Sequence, residues 1–167
     1  FARQATALLA GGADAILVET MSDPLEATFA IGAARTAGAE LVLATFTFQR
    51  TPGGFRTLMG STAAECVSAA LTAGAEIVGA NCGTELSLAD YEKLAAELFA
   101  AARGAPVIVQ PNAGFPRLVD GRISYDESAA DFAAAAPRLL AAGARIVGGC
   151  CGSTPAHIAA VSSAFRR

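Results

Sequence analysis

Two of the four cysteines in this chain stand side by side: Cys150 and Cys151, preceded by Gly148-Gly149 and followed by Gly152. Neighbouring side chains on a regular strand point to opposite faces, so adjacent thiols share one target only where the pleat breaks, which the flanking glycines permit. A third thiol, Cys82, lies 68 residues upstream of Cys150, also at the end of an apolar run and next to Asn81. Three thiolates around one point are a zinc arrangement in which the fourth tetrahedral position is left to substrate. The spacing is unlike the close Cys-x-x-Cys pairs of zinc fingers, so such a site needs two strand ends brought together. The competing reading makes Cys82 and Cys151 small core residues, a common state of free cysteine. Cys66 lies in the helical stretch "STAAECVSAALTAG", with Ser61 as the expected N-cap, and core packing accounts for it.

Other chemistries lack their residues. The single histidine, His157, follows Thr154, the expected N-cap, and Pro155, the expected first helical residue, and is expected to face solvent in that first turn. With its only histidine expected there, the chain offers no base for a Ser-His-Asp triad, and with no second one it has no multi-histidine metal site. Lys93, the only lysine, falls inside a helical pattern, which argues against a Schiff base at the site. Neither GxGxxG nor GxxxxGK[ST] occurs, so the two common phosphate cradles are missing. The glycine-rich stretch "RTPGGFRTLMGS" reads either as a mobile loop over the site or as a plain surface loop.

The elements that must position the thiols repeat along the chain. "LLAGGADAILVET", "ARTAGAELVLATF", "LTAGAEIVGANC" and "LLAAGARIVGGCC" share one pattern: a helix, glycine at its end, a charged residue, a short apolar run, then a polar or thiol residue. "APVIVQPNAG" adds a fifth run after the helix "LADYEKLAAELFAAARG". Short runs apolar on both faces, each separated by one helix, predict an α/β fold with a parallel sheet. Glu19-Thr20, Thr45, Asn81-Cys82, Pro111-Asn112 and Cys150-Cys151 then all fall at carboxyl strand ends, where parallel α/β folds bind ligands. A barrel gathers those ends around one mouth, whereas an open sheet spreads them along a line. Convergence of the cysteines favours the last five units of a (β/α)8 barrel, which typically needs roughly 250 residues. A doubly wound open sheet is the alternative.

The 167 residues are 53% hydrophobic with net charge −3, and mean hydropathy is +0.46. This describes one domain with a substantial core and no basic footprint for nucleic acid or anionic membrane. No apolar stretch is long enough to span a bilayer, and free thiols without a disulfide framework fit a reducing compartment, so a cytoplasmic location is expected. The chain opens on Phe1 inside a helix with no capping residue, which leads us to expect three units upstream.

"GANCG", "QPNAGFP" and "IVGGCCGSTPAHI" resemble three successive strand-end motifs of the homocysteine S-methyltransferase family, and "ILVETMSDPLEA" and "TFTFQRTPGGFRTLMGST" resemble the two preceding units. The resemblance covers essentially all of residues 1–167 and implies the C-terminal part of a single homocysteine-binding barrel. It implies that Cys82, Cys150 and Cys151 hold zinc, that Asn112 takes the fourth metal position until substrate displaces it, and that Glu19 holds the amino group of homocysteine. Asn81 and Thr45 are further candidates for the pocket wall. The family's opening Asp-Gly-Ala and Thr-Asn-Thr segments, which complete the amino acid pocket, are not in this chain. The implied reaction is methyl transfer to homocysteine giving methionine. The flavour of the first two units points to methylcobalamin on a partner domain as donor. S-methylmethionine or betaine is the runner-up, and a non-catalytic zinc-binding fragment or a metal-free barrel with packed cysteines are the other readings.

Overall fold

Apolar runs of four to six residues alternate with segments whose small apolar residues recur at helical spacing, and the computed structural model, which describes residues 1–166, builds one element from each. In chain order these are α1 (Ala2–Ala10), β1 (Ile16–Met21), α2 (Pro24–Thr36), β2 (Val42–Phe46), β3 (Gln49–Thr51), β4 (Gly54–Arg56), α3 (Ala63–Ala73) and β5 (Ile77–Asn81). They continue as α4 (Leu88–Ala101), β6 (Val107–Gln110), β7 (Arg117–Val119), β8 (Arg122–Ser124), α5 (Ala129–Ala141), β9 (Ala144–Val147) and α6 (Pro155–Phe165). From α2 to α5 the helix starts are set by side-chain caps. The Asp23 carboxylate accepts from Leu25 N–H, and Ser87 with Asp90 and Ser128 with Asp131 form reciprocal capping boxes. At α3 the cap is Thr62, paired with Glu65, rather than Ser61: a box needs its acidic partner three residues on, and only Thr62 has one there.

Five strands form one parallel sheet in the order β1-β2-β5-β6-β9. Each new strand is laid beside the previous one with no reversal of direction along the sheet, so the doubly wound alternative, which requires a switch point, is excluded. The six helices pack against one another in chain order over one face. On that face Ile16, Val42, Phe46, Val78, Val107 and Ala144 are all buried.

The opposite face is stratified. Leu17, Leu43 and Ile77 lie level with one another, then Thr45, Gly79, Ile108 and Ile146, then Asn81 and Gln110 at the carboxyl edge. Apolar side chains thus occupy the lower rows and polar ones the top. A Cβ on Gly79 would come within 1.7 Å of the Ile108 carbonyl oxygen, so only glycine fits there. Closure into a full barrel is not part of this chain: β1 and β9 are the outer strands of the sheet. None of the described helices is long and apolar enough to cross a membrane.

Two hairpins interrupt the βα pattern. The glycine-rich stretch forms β3–β4, held by the buried Phe55 and by an ion pair from Arg50 to Asp90. The second, β7–β8, turns at Asp120-Gly121, both at positive φ (48° and 73°), the pairing that two-residue hairpin turns select.

Candidate metal centre

The thiols are set by backbone that continues the sheet past its regular strands. Beyond β6, Pro111 C=O accepts from Cys150 N–H at 2.7 Å and Ala113 N–H donates to Cys151 C=O at 2.8 Å. From the other side, Cys82 N–H donates to Gln110 C=O at 3.2 Å, and Cys82 itself leaves β5 at φ 56°. Gly152, at φ 77°, lies under the Tyr125 ring, where a Cβ would meet ring carbon at 2.3 Å. The result is that the Sγ atoms of Cys82, Cys150 and Cys151 all lie within 4.8 Å of one another. Cys82 and Cys150 are half-buried and Cys151 is exposed, so core packing does not explain them.

The Cys82 and Cys151 sulfurs are 3.9 Å apart. A disulfide needs about 2.0 Å, whereas sulfurs on a tetrahedral zinc with bonds of about 2.3 Å stand about 3.8 Å apart. The donor set therefore fits zinc in number, and the Cys82–Cys151 pair fits it in spacing. Desolvation in the mouth, then the neighbouring Cys150 and Cys82, push the Cys151 thiol from 9.0 up to about 11. Three thiolates repel one another unless a cation sits among them. Tyr91, buried in α4, feels the same group: burial first and then the three thiols hold its phenol well above the ordinary value. Its hydroxyl has no hydrogen-bond partner among the described residues. Cys66 takes no part, its thiol being pushed up to about 12 by burial in the helix layer.

The other sequence candidates divide into those at the mouth and those behind it. Asn112 bridges the two thiol-bearing loops, its Oδ1 accepting from Cys151 N–H at 3.1 Å and its Nδ2 donating to Gly83 C=O at 3.3 Å. Thr45 and Asn81 are buried and bonded to each other, Thr45 Oγ1 donating to Asn81 Oδ1 at 2.8 Å. Neither lines the groove of about 410 Å³ beside the thiols. That groove is walled by Cys82, Thr84, Asn112, Phe115, Tyr125 and Cys151. Phe115 and Tyr125 were missed in the sequence, although Phe115 stands within the "QPNAGFP" motif itself. Glu19 lies on the open face with Leu17, beside a second groove of about 260 Å³ between α1 and the β1 edge.

His157 departs from expectation. It is 9% exposed, with its ring edge-on to Phe132 at 4.9 Å. Its Nδ1 accepts from Thr154 N–H at 3.1 Å, so Nε2 carries the proton that reaches Glu127 C=O at 3.1 Å. The first turn of α6 packs against the start of α5, and the third helical position points into that seam. His157 thereby acts as the reciprocal partner of the Thr154 cap, a place usually held by Glu or Gln.

Comparison with known proteins agrees with this geometry. The family described as Homocysteine S-methyltransferase matches residues 1–165. The chain is 36% identical over 169 aligned residues to a methionine synthase of Mycobacterium tuberculosis, covering 98% of this chain and 14% of that protein. It is 34% identical to the methionine synthase of Mycobacterium leprae, covering 100% of this chain and again 14% of the relative. The chain thus spans about one seventh of the length of these relatives. Among solved structures, the apo homocysteine methyltransferase MmuM from Escherichia coli superposes with a TM-score of 0.68 at 24% identity, covering 98% of this chain and 57% of that one, which supports the fold. On the family match and the identity to the two synthases, this chain belongs to the homocysteine S-methyltransferase family.

Proposed function

We propose that this chain is the zinc-holding, C-terminal part of a homocysteine-binding barrel that methylates homocysteine to methionine, with Cys82, Cys150 and Cys151 as metal ligands. The observation that carries the reading is the gathering of three thiols within 4.8 Å at the carboxyl edge of a parallel sheet. Zinc bound there would act as a Lewis acid that keeps the homocysteine sulfur deprotonated at neutral pH without a histidine base. Asn112, already in contact with both thiol loops, is the candidate fourth ligand in the substrate-free state. Glu19 is assigned to the substrate amino group, and Thr45 and Asn81 back the wall behind it. In the reaction the homocysteine sulfur bonds to the methyl carbon, the donor departs with the electron pair of the broken bond, and the thiol proton passes to solvent. The neutral thioether product is a weak metal ligand, which favours release.

Three further βα units joining β1 to β9 would complete the barrel and cover Leu17 and Ile146, which are 36% and 38% exposed on the open face. We assign methylcobalamin on a partner domain as donor, a reading supported by the first two units, "ILVETMSDPLEA" and "TFTFQRTPGGFRTLMGST", and by the 36% and 34% identity to methionine synthases. The short share of the synthases' length matched here leaves ample chain for such a domain. We assign the protein to the cytoplasm, a reading that four cysteines without a disulfide support. The test is metal analysis of the chain purified anaerobically in reductant, beside Cys82→Ala. About one zinc per chain, lost in the variant, is expected for a single site. A folded chain without zinc overturns the assignment. Zinc without methyl transfer to homocysteine from methylcobalamin, S-methylmethionine or betaine, in the chain joined to its barrel partner strands, selects the non-catalytic reading; transfer from one of the last two alone overturns the cobalamin assignment.

A further inference from the structure

The side chain of Asn81, 1% exposed, uses its full hydrogen-bonding capacity. Its Oδ1 accepts from Thr20 N–H at 2.9 Å and from Thr45 Oγ1 at 2.8 Å. Its Nδ2 donates to Thr20 Oγ1 at 2.7 Å and to Cys150 Sγ at 3.7 Å. The orientation of the amide is dictated by chemistry. A backbone N–H only donates, so Thr20 N–H must face Oδ1, and Nδ2 is thereby turned toward Thr20 Oγ1 and the Cys150 sulfur.

The Thr20 end of this network is unusual. Thr20 sits at φ 61°, a conformation that a β-branched residue adopts only at a cost of about 1–3 kcal/mol when its surroundings over-determine it. Pairing of β1 with β2 slips there: Val18 pairs with Ala44 and Met21 with Phe46, so Glu19 and Thr20 together oppose Thr45. A bulge of this kind re-aims the side chains it contains. Two bonds from Asn81 hold Thr20, and a third comes to Asn81 from Thr45, the residue opposite the bulge.

We infer that Asn81 is a positioning residue that locks the bulged Glu19-Thr20 end of β1 to the Cys150 thiol, so that the substrate-amine residue and the metal site move as one unit. The inference rests on the zinc assignment above. It separates Asn81 from direct contact with substrate: the amide acts through Thr20 on one side and through a sulfur on the other. An N–H directed at a metal-bound thiolate stabilises the charged sulfur and orients it, the usual task of groups around a ligand set.

The test is titration of the chain with Co²⁺ alone against a competing chelator, following the sulfur-to-cobalt charge-transfer band. Asn81→Asp keeps acceptors for Thr20 N–H and Thr45 Oγ1 and turns an oxygen instead of an N–H toward Cys150. Its Co²⁺ affinity is expected to fall by roughly 10- to 100-fold, the range for loss of an outer-sphere partner, with the band shifted to lower energy. Thr20→Val is isosteric at an exposed position and touches no thiol, yet removes the 2.7 Å anchor of Nδ2. It is expected to lower affinity by about 2- to 10-fold, the equivalent of one hydrogen bond, and to move the band in the same direction. Asn81→Asp within twofold of the unsubstituted chain, or Thr20→Val with unchanged affinity and band, overturns the coupling and leaves the zinc assignment intact. Should Asn81→Asp fail to fold, Thr20→Val decides alone. An unsubstituted chain that takes no Co²⁺ overturns the zinc assignment itself, and this inference with it.

Discussion

The two faces of the five-stranded sheet have the same backbone and opposite uses. On the helix side Ile16, Val42, Phe46, Val78, Val107 and Ala144 are apolar and buried, and α2 to α5 pack against the strands there. On the open side apolar residues fill only the lower rows, glycine stands at position 79, and the top row carries Asn81 and Gln110 with the thiols just beyond. The difference teaches where stability and chemistry are separately lodged. Burial supplies free energy in proportion to apolar area and asks for no particular atom. A metal-binding mouth asks for particular atoms at particular spacings and tolerates exposure, as Cys151 does.

That separation can be broken most strongly from the helix side. Leu98→Ala, a fully buried position in α4, is expected to cost about 2–5 kcal/mol while leaving metal stoichiometry unchanged. Paired thermal melts and metal analysis check it, and loss of metal in a chain that still folds would join the two faces after all. The next effect belongs to the mouth alone. Thiols bind metal as thiolates, and Cys151 holds its proton up to about 11 without metal, so binding must release protons. Affinity is therefore expected to fall as pH falls, by about tenfold per pH unit for each proton displaced, in chelator competition between about pH 6 and 8. Metal-free folding runs the other way. A thiol raised from 9.0 to about 11 contributes stability below pH 9 that is lost as pH rises through 11, so alkaline melts without metal should show the opposite slope. The smallest effect sharpens the comparison. Leu17→Thr, on the open face, is expected to change the stability of this chain by less than about 0.5 kcal/mol. In a chain carrying the three additional units, the same substitution removes a buried leucine and should cost about 1.5–3 kcal/mol. Equal effects in both contexts would argue against barrel completion.

Much of this architecture was legible in the residues. The five apolar runs became the five parallel strands, Thr154 and Pro155 begin α6 as their types demand, Cys66 packs in α3, and the two strand-end thiol motifs meet. The Asp120-Gly121 turn is a hairpin signal in the residues, but a weak one, because the flanking Arg-Leu-Val and Arg-Ile-Ser runs are short and carry no buried face. His157 was misjudged for a different reason. Its neighbours in the chain, Ala156 and Ile158, give no sign of burial, and what buries it is Phe132 and the Glu127 carbonyl from the preceding helix start.

What the chain determines by itself is local: apolar period, capping pairs and the chemical type of each strand-end residue, because these depend on atoms a few bonds apart. Which face stays open, which cysteines share a point, and that Asn81 spends its amide on Thr20 and Cys150 were decided only by the tertiary structure. The partners of Asn81 lie 61 and 69 residues away. A contact at that separation is set by sheet order and register, which arise from the packing of the whole chain rather than from any stretch of it.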